Sequence, residues 1–253
     1  MIIISNGQYK SGSTLIHNYN CLLANNRNIN SLHRLFKDDL IPVLDHIHIE
    51  FSLFSIRSFL KLYWFKNFFT LFKLIYANFR YGDFAIKTHG RPTFFWLILI
   101  KLNLARVTYT FRDPRDIILS LIDHGEKSRK GLDPVNAFIK CDNIENTLSV
   151  VTSTIDTYKS WQKLDKNILF LKYEEIMTNP NKIINEISSF LGYKMSAQDL
   201  QDIIDIENEK KNKGGSYNFN SGKINRYKSE FDIATQNQLY NFFKEDLNSM
   251  GYE

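Results

Sequence analysis

The stretch that decides the fold stands at the start of the sequence and reads Met1-Ile2-Ile3-Ile4-Ser5-Asn6-Gly7-Gln8-Tyr9-Lys10-Ser11-Gly12-Ser13-Thr14. An apolar, β-branched run followed by a polar, Gly-containing segment is typical of a buried parallel strand that ends in a tight loop. Apolar residues then recur at helical spacing from Leu15 to Leu23, which predicts a helix after the loop. A loop at a helix N-terminus presents unpaired N–H groups and the positive end of the helix dipole, and so suits a phosphate or sulfate.

This loop nearly fits the nucleoside-triphosphate pattern G-x-x-x-x-G-K-[ST]. Gly7, Gly12 and Thr14 fall on the pattern, but Ser13 stands where the pattern has Lys. A lysine is present three residues earlier, at Lys10. The loop therefore predicts an anion-binding site with its lysine near the start of the loop rather than next to the helix. An ordinary strand–helix turn with a surface lysine is the alternative.

The composition is that of a folded protein with a modest positive charge. Of the 253 residues, 43% are hydrophobic and 23% are charged, which suffices for one large domain. The net charge of 32 − 27 = +5 favours anionic ligands, but it is too small and too dispersed to indicate nucleic-acid binding. Cys21 and Cys141 show neither metal-ligand spacing nor a disulfide framework, which favours a reducing compartment.

The sequence carries no recognisable targeting or membrane-spanning segment. The first strand begins at residue 2, which leaves no charged region for a signal peptide. No run reaches the roughly 18 apolar residues of a membrane span. We therefore expect a soluble, cytoplasmic protein.

Four segments are predicted as strands, at 1–5, 84–88, 105–111 and 168–172, with helical segments between them. One helical segment is predicted to begin after Asp116 as its N-cap and to end before a polar loop from Gly125 to Pro134, and another is predicted at 135–163. This alternation predicts a single α/β domain of three layers, α/β/α, with a central parallel sheet and the strand–loop–helix unit described above. Ligands of such sheets bind at the carboxyl ends of the strands. Candidate ligand-binding residues follow the carboxyl ends of all four predicted strands: Lys10, Lys87 with His89, Arg112, and Tyr173. Together they predict one site at that edge of the sheet.

The stretch at about 51–80 is rich in aromatic residues, and all its charges are positive. It is predicted as a helical insertion, formed by two helices joined by a bend, in a single domain at 1–253. A basic amphipathic helix can contact a membrane surface or a partner, and packing over the core is the alternative. Just before it, His46, His48 and Glu50 alternate as metal ligands could, but a half-buried polar segment is favoured and no metal is predicted.

The residues at the strand ends admit functional and structural interpretations. Arg112 and the later hydroxyl of Ser120 suit a second phosphate, and a pair between this arginine and a nearby aspartate is the alternative. His89 can be a general base near neutral pH or a loop histidine without a role. Tyr173 can stack on a base or fill the core.

Four segments of the chain resemble motifs of the sulfotransferases that use 3′-phosphoadenosine 5′-phosphosulfate (PAPS). They occur in that family's order, within a resemblance that runs from residue 1 to about 231. They are Lys10-Ser11-Gly12-Ser13-Thr14, similar to K-S-G-T-T; Lys87-Thr88-His89, similar to K-T-H; Arg112-Asp113-Pro114-Arg115-Asp116 with Ser120, similar to R-x-P-R-D-x-x-x-S; and Tyr173-Glu174-Glu175-Ile176-Met177 with Asn179-Pro180, similar to Y-E-D-M…P.

The resemblance implies direct, in-line transfer of a sulfuryl group from PAPS to a hydroxyl or amine, with 3′-phosphoadenosine 5′-phosphate (PAP) as the product and no metal. His89 would take the acceptor's proton, while Lys10 and Lys87 would stabilise the leaving and transferring groups. The implied catalytic residues are His89, Lys10, Lys87 and Ser120. The implied donor-binding residues are Lys10, Ser11, Gly12, Ser13 and Thr14 for the 5′-phosphosulfate, Arg112 and Ser120 for the 3′-phosphate, Tyr173 for the adenine, and Gly222, Lys223 and Arg226 in the late loop.

The late loop departs from the family pattern R-K-G-x-x-G-D-W-K-N-x-F. It matches at Gly222, Lys228 and Phe231, but the Arg-Lys pair that clamps the 3′-phosphate is missing. Lys223 and Arg226 are the candidates to replace that pair.

Two other functions compete with the sulfotransferase interpretation. One is a P-loop nucleotide kinase, against which Ser13 and the lack of a clear magnesium-binding aspartate argue. The other is a non-catalytic protein that binds nucleotides or a membrane surface. As an enzyme, the protein is expected to act on a small molecule, a lipid or a carbohydrate.

Overall fold

The computed structural model describes residues 1–24, 68–132, 136, 138–164, 166–212 and 222–252. The metal-ligand alternative at His46, His48 and Glu50 lies outside these residues, as does the aromatic stretch up to residue 67. The helical insertion at about 51–80 therefore stays a prediction, although its last part, Phe68–Tyr81, is a helix.

Four parallel strands form the centre of the fold. They are β1 (Ile2–Gly7), β2 (Phe84–Lys87), β3 (Ala105–Phe111) and β4 (Ile168–Lys172), paired in the order β2-β1-β3-β4. In register, Ser5 of β1 lies beside Lys87 of β2, and Gly7 lies beside Thr110 of β3. The predicted parallel sheet is confirmed, and the carboxyl ends of its strands share one edge.

The helices connect and cover these strands. In chain order they are α1 (Ser13–Ala24), α2 (Phe68–Tyr81), α3 (Phe94–Lys101), α4 (Pro114–Arg129), α5 (Ile144–Gln162), α6 (Tyr173–Thr178), α7 (Pro180–Leu191), α8 (Ala197–Asn212), α9 (Tyr227–Glu230) and α10 (Ile233–Ser249).

The helices lie on both faces of the sheet, as the alternation of side chains along β1 illustrates. Ile2 and Ile4 belong to a core that also takes buried residues from α2, α3, α4, α5 and α10. Ile3 points to the opposite face and belongs to a second core with residues of α1, α7 and α8. Because neighbouring side chains of a strand point to opposite faces, a strand that is apolar at every position requires two covering layers. The predicted α/β/α arrangement is confirmed.

Helix α4 begins earlier and ends later than the sequence predicts. Asp116 is predicted as its N-cap, but Asp113 caps it by accepting a hydrogen bond from the backbone N–H of Arg115 at 2.9 Å. Pro114 then occupies the first turn, where its missing N–H costs nothing. The helix continues through Gly125, where a polar loop is predicted, and ends at Arg129.

Helix α5 begins later than the sequence predicts, at Ile144 rather than at residue 135. Asn143 caps it by accepting from the backbone N–H of Asn146 at 2.8 Å. An Asn side chain that binds the first turn defines a helix start that apolar periodicity alone does not mark.

None of the helices in the described part of the chain has both the length and the apolar character needed to cross a membrane.

Candidate active site

The loop between β1 and α1 is fixed by hydrogen bonds to the end of β3. The backbone N–H of Gln8 donates to the carbonyl of Thr110 at 3.0 Å, and the hydroxyls of Ser11 and Thr110 lie 2.7 Å apart. Ser11 also donates to the carbonyl of Gln8 at 2.7 Å. Because this hydroxyl is buried within the loop, Ser11 can serve a ligand through its backbone N–H rather than its side chain.

The loop passes close to its neighbours at two glycines. A Cβ on Gly7 would lie 2.0 Å from Thr110 Oγ1. Gly12 has a φ of +80°, and its Cβ would lie 3.1 Å from the ring of Tyr173. Lys10 also adopts a positive φ, +62°, which costs a non-glycine residue about 1 kcal/mol and tends to occur at functional sites.

Lys87 lies at the end of β2, beside the first turn of α1. Its Nζ donates a hydrogen bond to Thr14 Oγ1 at 2.6 Å. Burial, and then the positive charge of Lys10, lower the pKa of Lys87 to about 8. An anion that binds between two neighbouring ammonium groups stabilises the charged form of both, and this matters most where burial removes water. The structure thus brings the two predicted lysines together at the loop.

His89 is oriented by the same loop. Its Nδ1 lies 2.7 Å from the carbonyl oxygen of Gly7. Since a carbonyl can only accept, Nδ1 carries a proton, and in the neutral ring the basic lone pair is then on Nε2. The ring also packs against that of Tyr9, with 4.8 Å between centroids and a tilt of 36° between the ring planes. This geometry is compatible with a general base whose direction is set by the loop.

His124 is a further residue of this candidate site, and no motif in the sequence indicates it. Its Nδ1 lies 3.2 Å from Lys10 Nζ, and its side chain is buried. It follows Ser120 by one turn of α4, so the two residues share a helix face, and this spacing is the only signal that the sequence offered. Its ring meets that of Phe138 edge-on at 5.2 Å, and Phe138 meets Tyr9 at 5.3 Å.

Arg112 is buried where β3 ends, with most of its guanidinium engaged by protein. Nη2 donates to Asp116 Oδ2 at 3.0 Å and to the carbonyl of Lys223 at 2.8 Å, and Nη1 donates to the carbonyl of Lys10 at 3.3 Å. The arginine–aspartate pair considered as the structural alternative is therefore present. The buried Nε has no acceptor among the described residues, and such a donor fits an anionic ligand.

Tyr173 lies beneath the loop, between Gly12 and Arg112. The guanidinium of Arg112 is 4.1 Å from the centre of its ring. The side chain is only 7% exposed, and burial raises the pKa of its hydroxyl. Most of the ring is thus covered by protein, which leaves little of it for contact with a ligand.

The late segment at 222–230 packs against the end of β3 and the start of α4. The backbone N–H of Tyr227 donates to Asp116 Oδ1 at 3.0 Å. Together with the bond from Arg112 to the carbonyl of Lys223, this contact closes the segment over the buried arginine. Gly222, at the start of the segment, has a φ of +67°.

The two candidates for the missing 3′-phosphate clamp differ in their surroundings. The guanidinium of Arg226 donates to Glu230 at 2.7 Å and to Asp123 at 2.7 Å, and these carboxylates raise its pKa. The side chain of Lys223 is exposed. Lys223 is therefore the better placed of the two to reach a ligand, while Arg226 braces the segment against α4.

The chain matches a known protein family over most of its length. The family model described as the sulfotransferase domain matches residues 2–251. Cytosolic sulfotransferase 17 of Arabidopsis thaliana is 27% identical over 99 residues, a segment that covers 37% of this chain and only 29% of the plant protein.

Solved structures that share the fold include two determined with PAP bound. One is a retinol dehydratase in complex with androsterone and PAP, with a TM-score of 0.62 at 19% identity, covering 97% of this chain and 80% of that one. The other is a mouse sulfotransferase complexed with PAP, with a TM-score of 0.60 at 17% identity, covering 98% of this chain and 84% of that one.

Proposed function

Because the chain belongs to the sulfotransferase domain family, we propose that it transfers a sulfuryl group from PAPS to a hydroxyl or amine of an acceptor and releases PAP. The observation that carries this proposal is the convergence of Lys10, Lys87 and His89 on the loop between β1 and α1. Lys87 is bonded to the first turn of α1, and His89 is bonded to the loop's own carbonyl at Gly7.

The residues present fit the donor. The backbone N–H groups from Ser11 to Thr14 at the N-terminus of α1, with the ammonium groups of Lys10 and Lys87, would bind the 5′-phosphosulfate. Ser120 and the Nε of Arg112 would bind the 3′-phosphate. Gly222, Lys223 and Arg226 would close this side, with Lys223 as the ligand contact.

In the proposed reaction His89 Nε2 removes the proton of the acceptor's hydroxyl or amine. PAPS supplies an activated sulfuryl group, whose bond to the 5′-phosphate breaks as the acceptor–sulfur bond forms. Lys10 stabilises the charge that develops on the bridging oxygen of the leaving phosphate, and Lys87 stabilises the sulfuryl oxygens. Catalysis then consists of positioning and electrostatic stabilisation, with His89 as the base.

We assign a small-molecule acceptor, with lipids and carbohydrates as further members of the class to be tested. Tyr9 packs against His89 and meets Phe138 edge-on, so an apolar surface adjoins the proposed base. The retinol dehydratase of similar fold binds androsterone, which is consistent with an apolar acceptor. A cytoplasmic location is proposed because curated relatives are named as cytosolic. Membrane contact through 51–80 remains a prediction from the sequence.

The proposal is tested by ligand-dependent stabilisation and then by transfer. PAP at about a hundred times its Kd should stabilise the protein by about 2.7 kcal/mol, whereas ATP with Mg²⁺ should give much less. Radiolabelled transfer from PAPS to a panel of phenols, sterols, sugars and lipids would follow. Stabilisation by ATP with Mg²⁺ and none by PAP would contradict the proposal and favour the kinase.

A further inference from the structure

We propose that His124 is a positioning residue for Lys10, and that its imidazole holds the lysine ammonium at the front of the loop, where the bridging oxygen of the donor would lie. The inference rests on the proposed function, because it presupposes a donor in this loop. Its direct basis is the 3.2 Å separation between Lys10 Nζ and Nδ1 of the buried His124 ring, in a partly buried contact.

The chemistry of the pair fixes the state of the imidazole. A protonated lysine can only donate, so Nδ1 of His124 must be the acceptor and its proton must be on Nε2. His89 is held in the opposite tautomer, because its Nδ1 faces the Gly7 carbonyl. An ammonium has three donors, so a bond to His124 is compatible with simultaneous contact between Lys10 and an anion.

A neutral acceptor suits this position better than a carboxylate would. Lys10 is close enough to Lys87 to depress the pKa of the latter, so the two cations repel each other. An aspartate would hold Lys10 but would also cancel the charge that binds the donor. The imidazole restrains the flexible lysine chain, which loses rotamer freedom, and leaves its positive charge intact.

The imidazole is itself held firmly. His124 lies on α4, and the next residue, Gly125, has no side chain where a turn at Phe138–Cys141 approaches. A Cβ on Gly125 would lie 2.2 Å from the carbonyl oxygen of Cys141. Arg129 donates to the carbonyl of Ile139 at 2.9 Å and ties the same turn to α4. The ring of Phe138 is thereby fixed edge-on against His124.

The test compares His124→Leu with His124→Asn in the full chain. Asn places an amide oxygen near the position of Nδ1 and can accept from Lys10, whereas Leu cannot. Isothermal titration with PAP should show affinity roughly tenfold weaker for His124→Leu, the loss expected for one charged hydrogen bond, and within about threefold of wild type for His124→Asn. In a Lys10→Met background, His124→Leu should have no further effect on PAP affinity.

A spectroscopic measurement keeps the test independent of variant folding. In wild-type protein labelled with ¹⁵N-histidine, the His124 resonances at neutral pH should be those of a ring protonated on Nε2. The positioning role is overturned if Nδ1 carries the proton, or if His124→Leu weakens PAP equally with and without Lys10. A wild-type protein that binds no PAP would contradict the proposed function, and this role with it. Tight wild-type binding left unchanged by His124→Leu would contradict this role alone.

Discussion

Lys87 Nζ donates to Thr14 Oγ1 at 2.6 Å, so the end of β2 is joined to the first turn of α1. The pKa of Lys87 is lowered to about 8 by burial and by Lys10, so the group is partly deprotonated near that pH. Its folded pKa lies below the ordinary value of 10.5, so the unfolded chain binds more protons between pH 8 and 10.5. Through Lys87, folding stability is therefore expected to rise with pH across that window.

PAP binding near pH 8 should be accompanied by proton uptake, because the bound anion favours the charged form of Lys87 and raises its pKa. Isothermal titration in two buffers with different ionisation enthalpies measures this uptake. The variant Lys87→Met serves as the control and should lose it. Equal uptake by the variant and by wild type would show that another group is responsible.

Replacing His89 should remove transfer while sparing donor binding. In His89→Asn the amide NH₂ can still donate to the Gly7 carbonyl, but the base at Nε2 is gone. We expect single-turnover transfer to fall by about a hundredfold or more, with PAP affinity within about threefold of wild type. Undiminished transfer by His89→Asn would overturn its assignment as the base.

Gly12→Ala should be more damaging than the same change at Gly131. Both glycines have positive φ values, +80° and +71°, so each variant bears a backbone cost of about 1 kcal/mol. Only at Gly12 would the new Cβ meet the ring of Tyr173, at 3.1 Å, whereas nothing lies within 4 Å at Gly131. We expect about 1 kcal/mol of additional destabilisation in urea titrations, with weakened PAP binding. Equal losses at the two positions would argue against a tight contact with Tyr173.

Arg112→Ala should destabilise the fold as well as the donor site. It would leave Asp116 buried without its ion pair, which costs about 3 kcal/mol or more. The control is Arg91→Ala, because Arg91 and Asp156 form an exposed pair at 3.4 Å that should contribute less than about 1 kcal/mol. Denaturant unfolding measures both. Similar small losses for the two variants would mean that Asp116 is compensated in another way.

The strands, the loop and the candidates at the strand ends could be predicted from the sequence, because each depends on a short local pattern. His124 could not, since its contact with Lys10 joins residues 114 positions apart and has no local signature. The predicted start of α4 was wrong for a related reason. Asp113 and Asp116 are equally good caps by residue type, but the Asp116 carboxylate accepts from Arg112 and from the backbone of Tyr227. The carboxylate of Asp116 is therefore engaged in tertiary hydrogen bonds and does not cap the helix.

Gly125 bears on how this protein could be re-engineered toward new acceptors. Randomising the Phe138–Cys141 turn would vary the apolar surface beside the proposed base, but this turn packs so closely on α4 that a Cβ on Gly125 would lie 2.2 Å from the carbonyl oxygen of Cys141. Any displacement there reaches the neighbouring imidazole through Phe138 and, from it, the lysine at the front of the loop. Libraries built on this turn should therefore be screened for donor affinity and acceptor preference together, since a change in the packing of the turn alters both.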